Sequence, residues 1–210
     1  MVHGNRPGRA TPAPLVGLLG GVAAGKSTVA RLLVQEGGAR LIDADRIARQ
    51  VTGRRDLARR IEAELGPGIL DREGRLDREA LAARVFRDEA ARKRLEALTH
   101  PLILAEVDRL IRDYSRTPGL IVLDAPLLLE SGLDRRCHIL VFVRADVSIR
   151  DERGRERGWA AGEVARREEN QIKIENKETA ADYCLDNSGS LDTTRARVRG
   201  LLRWMGKPGA

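Results

Sequence analysis

Short apolar runs alternate with longer amphipathic segments along most of the 210-residue chain. Leu15-Val16-Gly17-Leu18-Leu19 predicts a buried strand that stops at a glycine pair, and Ser27 to Gln35 predicts a helix with Val29, Leu32 and Leu33 on one face. Leu41-Ile42 predicts a brief second strand. Leu120 to Leu123 and Ile139 to Val143 predict two more, and Tyr183 to Leu185 a weaker fifth. Thr193 to Trp204 predicts a closing helix packed through Val198, Leu201 and Leu202. Such alternation implies an α/β fold, a five-stranded parallel sheet with helices on both faces.

Two stretches break the alternation. Residues 54–113 carry no strand-like run and predict helices, with a turn at Gly66-Pro67-Gly68. Residues 146–180 are polar and crowded with arginine and glutamate. Each is expected as an insertion, the first a helical subdomain and the second a mobile flap or lid. The core of a single domain, 15–206, is then left to 15–53, 114–145 and 181–206. Residues 1–14, rich in Gly, Pro and Arg, are expected to form a disordered leader and lack the apolar stretch of a signal peptide.

Composition narrows the field only a little. A hydrophobic share of 42% supports a packed core, and aromatics at 3% leave little for stacking on single-stranded nucleic acid. No apolar run approaches the roughly 20 residues of a membrane span, so no membrane partner and a cytoplasmic location are expected. Cys137 and Cys184 sit beside apolar stretches and outside any metal-ligand spacing, and two buried free thiols are expected. The net charge of +7 comes from 38 basic residues, only five of them lysine. That balance suits an anionic partner without saying which kind.

The chemistry begins at the first strand. Gly20-Gly21-Val22-Ala23-Ala24-Gly25-Lys26-Ser27 matches G-x-x-x-x-G-K-[ST] between an apolar strand and an amphipathic helix. Glycines let backbone N–H groups close on phosphate oxygens, and the helix opening at Ser27 adds its own free amides. Lys26 supplies charge for the β- and γ-phosphates, the Ser27 hydroxyl can ligate Mg²⁺, and Thr28 is placed for the α-phosphate. These residues point to ATP.

Carboxylates follow at the strand ends. Asp43 and Asp45 come just past the second strand, at the sheet edge where ligands bind. Asp45 is the better candidate for a base that takes a proton from an acceptor hydroxyl. Either Asp43 or Asp45 can instead cap the helix from Arg46 to Val51, and for Asp43 the cap is an equally good reading. Asp124 ends the Val122-Leu123-Asp124 strand, where a carboxylate can stand near Mg²⁺ or play a structural part.

Taken together, GGVAAGKST, IDAD at 42–45, LDREAL at 76–81, VF at 85–86, HPLI at 100–103, DAPLLLESGL at 124–133 and LDNSGSL at 185–191 resemble the dephospho-coenzyme A kinases. The likeness runs from about residue 15 to 204, in the family's order. The resemblance implies a P-loop kinase of the nucleoside-monophosphate-kinase type, using ATP and Mg²⁺ to phosphorylate the ribose 3′-hydroxyl of dephospho-coenzyme A. It places Lys26, Ser27 and Thr28 on the ATP and metal loop, Asn187 on the ATP side and Asp45 on the presumed catalytic base. Arg78, His100, Pro126, Leu127 and Leu128 fall on the acceptor side, although His100 before Pro101 could instead mark a helix end. Arg153 with Arg157 is the chosen pair of lid arginines among several registers. Ala23-Ala24 stand where the family commonly has Gly-Ser, and the loop is expected to accept them at negative φ.

The resemblance leaves a monomer or weak homo-oligomer as the expected state, and no nucleic acid as partner. Two alternatives are a P-loop kinase for another small alcohol, and a basic nucleotide-dependent protein that binds nucleic acid. HPLI and DAPLLLESGL together argue against the first, and the scarcity of aromatics against the second.

Overall fold

The computed structural model describes residues 13–169 and 171–206, so the expected leader lies, but for its last two residues, outside them. Five strands form one sheet: β1 (Leu15–Leu19), β2 (Arg40–Asp43), β3 (Ile121–Asp124), β4 (Ile139–Arg144) and β5 (Tyr183–Asp186). Their spatial order is β2-β3-β1-β4-β5. β1 pairs in parallel with β3 through Leu15 and Ile121, and with β4 through Val16 and Ile139. β4 pairs in parallel with β5. β1 therefore lies at the centre, with the chain passing to opposite sides of it. A crevice opens outside the carboxyl end of such a strand.

The chain divides into two compact units, one built from the chain up to Ile42 and from Arg112 onward, the other spanning Asp43–Ile111. In the first, one face of the sheet is covered by α1 (Lys26–Gly37) and α9 (Leu191–Trp204). Val16 and Leu18 of β1, Val29 and Leu33 of α1, Val141 and Val143 of β4, and Val198, Leu201 and Leu202 of α9 make one buried cluster. Every residue of β1 is buried, which is why its run is continuously apolar rather than alternating. α9 begins at Ser190, whose hydroxyl accepts from the Thr193 amide at 3.2 Å. Three helices follow β4: α6 (Val147–Glu156), α7 (Glu163–Glu168) and α8 (Ile174–Thr179). They give the polar flap a helical form.

The second unit holds α2 (Ala44–Thr52), α3 (Arg55–Leu65), α4 (Arg78–Arg87) and most of α5 (Glu89–Ser115). It begins at Asp43 rather than near residue 54, because α2 packs on α3 and buries Ile47 and Val51. Leu57, Ala58, Ile61 and Leu65 form the apolar stripe of α3. Gly66 ends that helix at φ +88, a conformation that favours glycine. α5 continues through Pro101, so His100 lies inside a helix and does not mark its end.

The cysteines need correction. Both are free, but Cys184 is exposed and Cys137 only half-buried. Cys184 lies on β5 between Tyr183 and Leu185, which turn toward the core cluster, so its own side chain points to the opposite face of the strand. Burial pushes the Cys137 thiol up to about 12. Burial also raises the Cys184 thiol, but Cys184 is exposed, so iodoacetamide should alkylate Cys184 faster than Cys137, and unfolding should narrow the difference. Peptide mass spectrometry after timed labelling checks this.

A second prediction concerns the α1–α9 contact. Leu202 is fully buried against Gly37, where an added Cβ would lie 2.7 Å from it. Leu202→Ala should lower stability by about 2–5 kcal/mol, read from urea unfolding.

Candidate active site

The phosphate loop occupies the carboxyl end of β1, and two of its glycines are required by geometry. Gly25 stands at φ +91 as the residue before α1, and a Cβ there would collide with the Asn187 carboxamide. Gly20 lies so close to the Val143 carbonyl that a Cβ would come within 2.6 Å of it. No side chain caps α1 at Gly25; the Thr28 amide donates to the Gly25 carbonyl at 2.9 Å, and the positive end of the helix dipole lies at the loop. Ala23 is the exception to the expected backbone. It sits at φ +59, among the described residues the one non-glycine with positive φ, and not at the negative φ expected. Its Cβ carries the penalty of that region, about 1–2 kcal/mol, without the further clash of a branched side chain.

Lys26 Nζ donates to the carbonyls of Gly20 and Gly21, 3.0 Å each, and so bridges the front of the loop. Ser27 Oγ donates to Asp124 Oδ2 at 2.8 Å, with Asp124 only 9% exposed at the end of β3. A hydroxyl and a carboxylate side by side are hard oxygen donors, the set that suits Mg²⁺ with phosphates and water filling its other positions. Among the described residues no cluster of three or more His, Cys, Asp or Glu offers a self-sufficient metal cage.

The helices after β4 are bonded to this loop. Arg153 of α6 donates to the carbonyls of Ala24 at 3.1 Å and Asn187 at 2.8 Å. Asn187 donates to the same Ala24 carbonyl at 2.7 Å and accepts from Thr194 Oγ1 at 2.7 Å. The two residues expected to face ATP therefore also build the loop. Arg157 comes from the end of α6, with its guanidinium 5.5 Å from the centre of the Trp159 ring. Thr28, Arg153, Glu156, Arg157, Asn187 and Leu191 line a cavity of about 260 Å³ beside Gly25.

Several residues around the loop escaped sequence reasoning. The Glu168 carboxylate at the end of α7 accepts from the Val22 amide at 2.7 Å and pairs with buried Arg150. Lys177 of α8 is buried. Its ammonium lies 3.3 Å from Glu130 and donates to Gln171 at 2.8 Å, tying the segment after β3 to the base of α8. Trp159 carries Arg167 over its ring at 4.2 Å, and Arg167 also pairs with Glu163. The Arg166 and Arg167 guanidiniums pull the Glu163 carboxyl down to about 2. In a tract this charged, no local pattern singles out these partners.

On the expected acceptor side, Pro126 and Leu127 are exposed, but Leu128 is 1% exposed and packs beneath Gly17. Leu128 is a core residue, a correction to its expected place against the acceptor. In the second unit, the Asp43 carboxylate accepts from the Arg46 amide at 2.8 Å and caps α2. Asp45 follows in the first turn of α2. Arg78 lines a cavity of about 250 Å³ with Asp71 and Arg75. His100 is exposed midway along α5.

An amide cradle at the carboxyl end of the central strand, with a hydroxyl and a carboxylate in contact beside it, is the equipment of a P-loop nucleotide-binding protein, a class that includes the P-loop kinases. Known structures of that class share the fold: a dephospho-CoA kinase from Campylobacter jejuni (23% identity, 93% of this chain and 98% of that one, TM-score 0.71) and a shikimate kinase from Acinetobacter baumannii (16% identity, 92% and 93%, TM-score 0.51). Within the class, the chain belongs to the dephospho-CoA kinase family, whose model matches residues 14–193. It is 41% identical to the dephospho-CoA kinase of Symbiobacterium thermophilum over 90% of this chain and 80% of that one. It is 39% identical to a counterpart from Corynebacterium glutamicum over 89% and 97%. A crystal structure from Thermus thermophilus is similar at 33% identity, covering 93% of this chain and 99% of that one with a TM-score of 0.76.

Gly25→Ala should destabilise the protein by about 2 kcal/mol or more, since it combines a positive φ with a collision at Asn187. A thermal melt checks the stability, and a titration with ADP should show nucleotide affinity lost with it.

Proposed function

We propose that this chain transfers the γ-phosphoryl group of ATP to the ribose 3′-hydroxyl of dephospho-CoA, giving CoA and ADP. The observation that carries the reading is the Ser27–Asp124 pair at 2.8 Å beside the Lys26 loop, in a chain of this family. Loop amides and the first turn of α1 would hold the β- and γ-phosphates, with Lys26 leaving the Gly20 and Gly21 carbonyls to neutralise them. Ser27 and Asp124 would hold Mg²⁺, which supplies charge neutralisation between the phosphates when bound.

Arg157, exposed at the edge of the 260 Å³ cavity, is free to swing toward a triphosphate without breaking the fold. Arg153 is already committed to two carbonyls, so its part is to keep the Ala24 turn closed on the nucleotide. Asp45, two residues past the end of β2, would accept the proton of the attacking hydroxyl or orient it. The family resemblance is what assigns Arg78, His100, Pro126 and Leu127 to the acceptor. With two anionic substrates, the arginine-rich composition needs no nucleic acid.

ADP release measured on dephospho-CoA, adenosine, shikimate and gluconate tests the reading. Dephospho-CoA should be turned over far faster than the other three, and equal rates would overturn the assignment. Asp45→Asn should lower kcat by about 10²-fold and leave the KM for ATP almost unchanged, if the carboxylate is a base. An Asp45→Ala protein with unaltered kcat would remove it from the mechanism.

A further inference from the structure

The loop carries a negative charge of its own. Glu168 belongs to the flap, yet its carboxylate is seated on the Val22 amide at 2.7 Å. A Cβ on Gly21 would meet that same oxygen at 2.6 Å and Arg150 Nη1 at 2.7 Å, so glycine is what lets the pair reach the backbone. Arg150 is 5% exposed, and among the described residues its Nε is the buried side-chain polar atom with no hydrogen-bond partner. A guanidinium so enclosed needs a nearby anion, and Glu168 is the one it has.

This placement is unusual for a triphosphate site. A lone carboxylate on a phosphate loop would repel the ligand, and a lone guanidinium there would attract it. Paired, they leave a hydrogen-bond acceptor that fixes the Val22 amide and almost no net field. We propose that Glu168 and Arg150 are positioning residues for phosphoryl transfer: a neutral pair that anchors the front of the phosphate loop to the flap and sets how strongly the loop attracts polyphosphate. The inference rests on the phosphotransferase reading above and adds a sign to it. The two residues have opposite effects on nucleotide affinity, whereas a purely structural pair would lower affinity whichever member was removed.

The test is calorimetric titration of the full chain with ADP, without added metal and at low salt. Four proteins are compared: wild type, Glu168→Gln, Arg150→Met and the double variant. Glu168→Gln keeps an oxygen for the Val22 amide but removes the charge, and should bind ADP about 3- to 10-fold more tightly. Arg150→Met leaves the carboxylate alone and should bind about 10-fold or more weakly. The double variant should return to within about threefold of wild type, and all differences should shrink in about 0.5 M NaCl. A Glu168→Gln protein that binds ADP no more tightly than wild type overturns the proposal. A melting scan accompanies each variant, and if Arg150→Met does not fold, Glu168→Gln decides alone. Failure of the wild type itself to bind ADP would instead overturn the phosphotransferase reading.

Discussion

One backbone carbonyl holds the site together. The oxygen of Ala24 accepts from Asn187, which follows β5, and from Arg153, on α6. A loop that turns its N–H groups inward for an anion must turn some carbonyls outward, and a buried carbonyl without donors is costly. Asn187 and Arg153 answer that need from two directions. Asn187 is in turn fixed by Thr194 of α9, and Arg153 closes the circuit on the Asn187 carbonyl. The shape of the loop therefore depends on β5, α9 and α6 being in place.

The same logic runs through the flap roots. Asp186 accepts from the Ser188 amide and pairs with Arg197, and these contacts hold its carboxyl below the usual range. Ser188 in turn accepts from the Asp146 amide, where the chain enters α6. The flap is thus tied to the loop after β5 at its start, to the phosphate loop through Glu168 and Arg153, and to the segment after β3 through Lys177 and Glu130. Buried or half-buried groups make the ties to the phosphate loop and to the segment after β3, while the tie at Asp146 is exposed. The many exposed Arg–Glu pairs elsewhere, such as Arg54–Asp56 and Arg75–Glu73, contribute little to stability and serve mainly to keep an arginine-rich surface mixed in sign.

The sheet order places this circuit. Because β1 lies between β3 and β4, its loop is flanked by the carboxyl ends of both. Asp124 comes from one neighbour and the root of α6 from the other. Hydroxyl, carboxylate and arginine reach one loop from three separate segments because parallel strands deliver all their carboxyl ends to the same edge.

Much of this was legible in the residues alone. The five apolar runs are the five strands: β1 and β3 are buried throughout and read as continuous apolar runs, whereas the edge strands β2 and β5 are only partly buried and give shorter, weaker signals. The phosphate loop was readable because it is local, eight consecutive residues whose types follow from closing a backbone on an anion. Ser27 was expected from the loop motif and Asp124 from its place at a strand end, and the parallel pairing of β1 and β3 brings the two together. What the sequence could not decide was partnership at long range. Ala23 at positive φ, Leu128 in the core, Arg153 and Asn187 on one carbonyl, and Glu168 seated on Val22 are invisible in a linear reading. In the tract 146–180 every arginine has a glutamate within a helical turn, so local charge pairing ranks none above the others. Only the fold distinguishes them, by removing Arg150 from water and leaving Arg157 in it, because burial makes a partner obligatory and exposure does not.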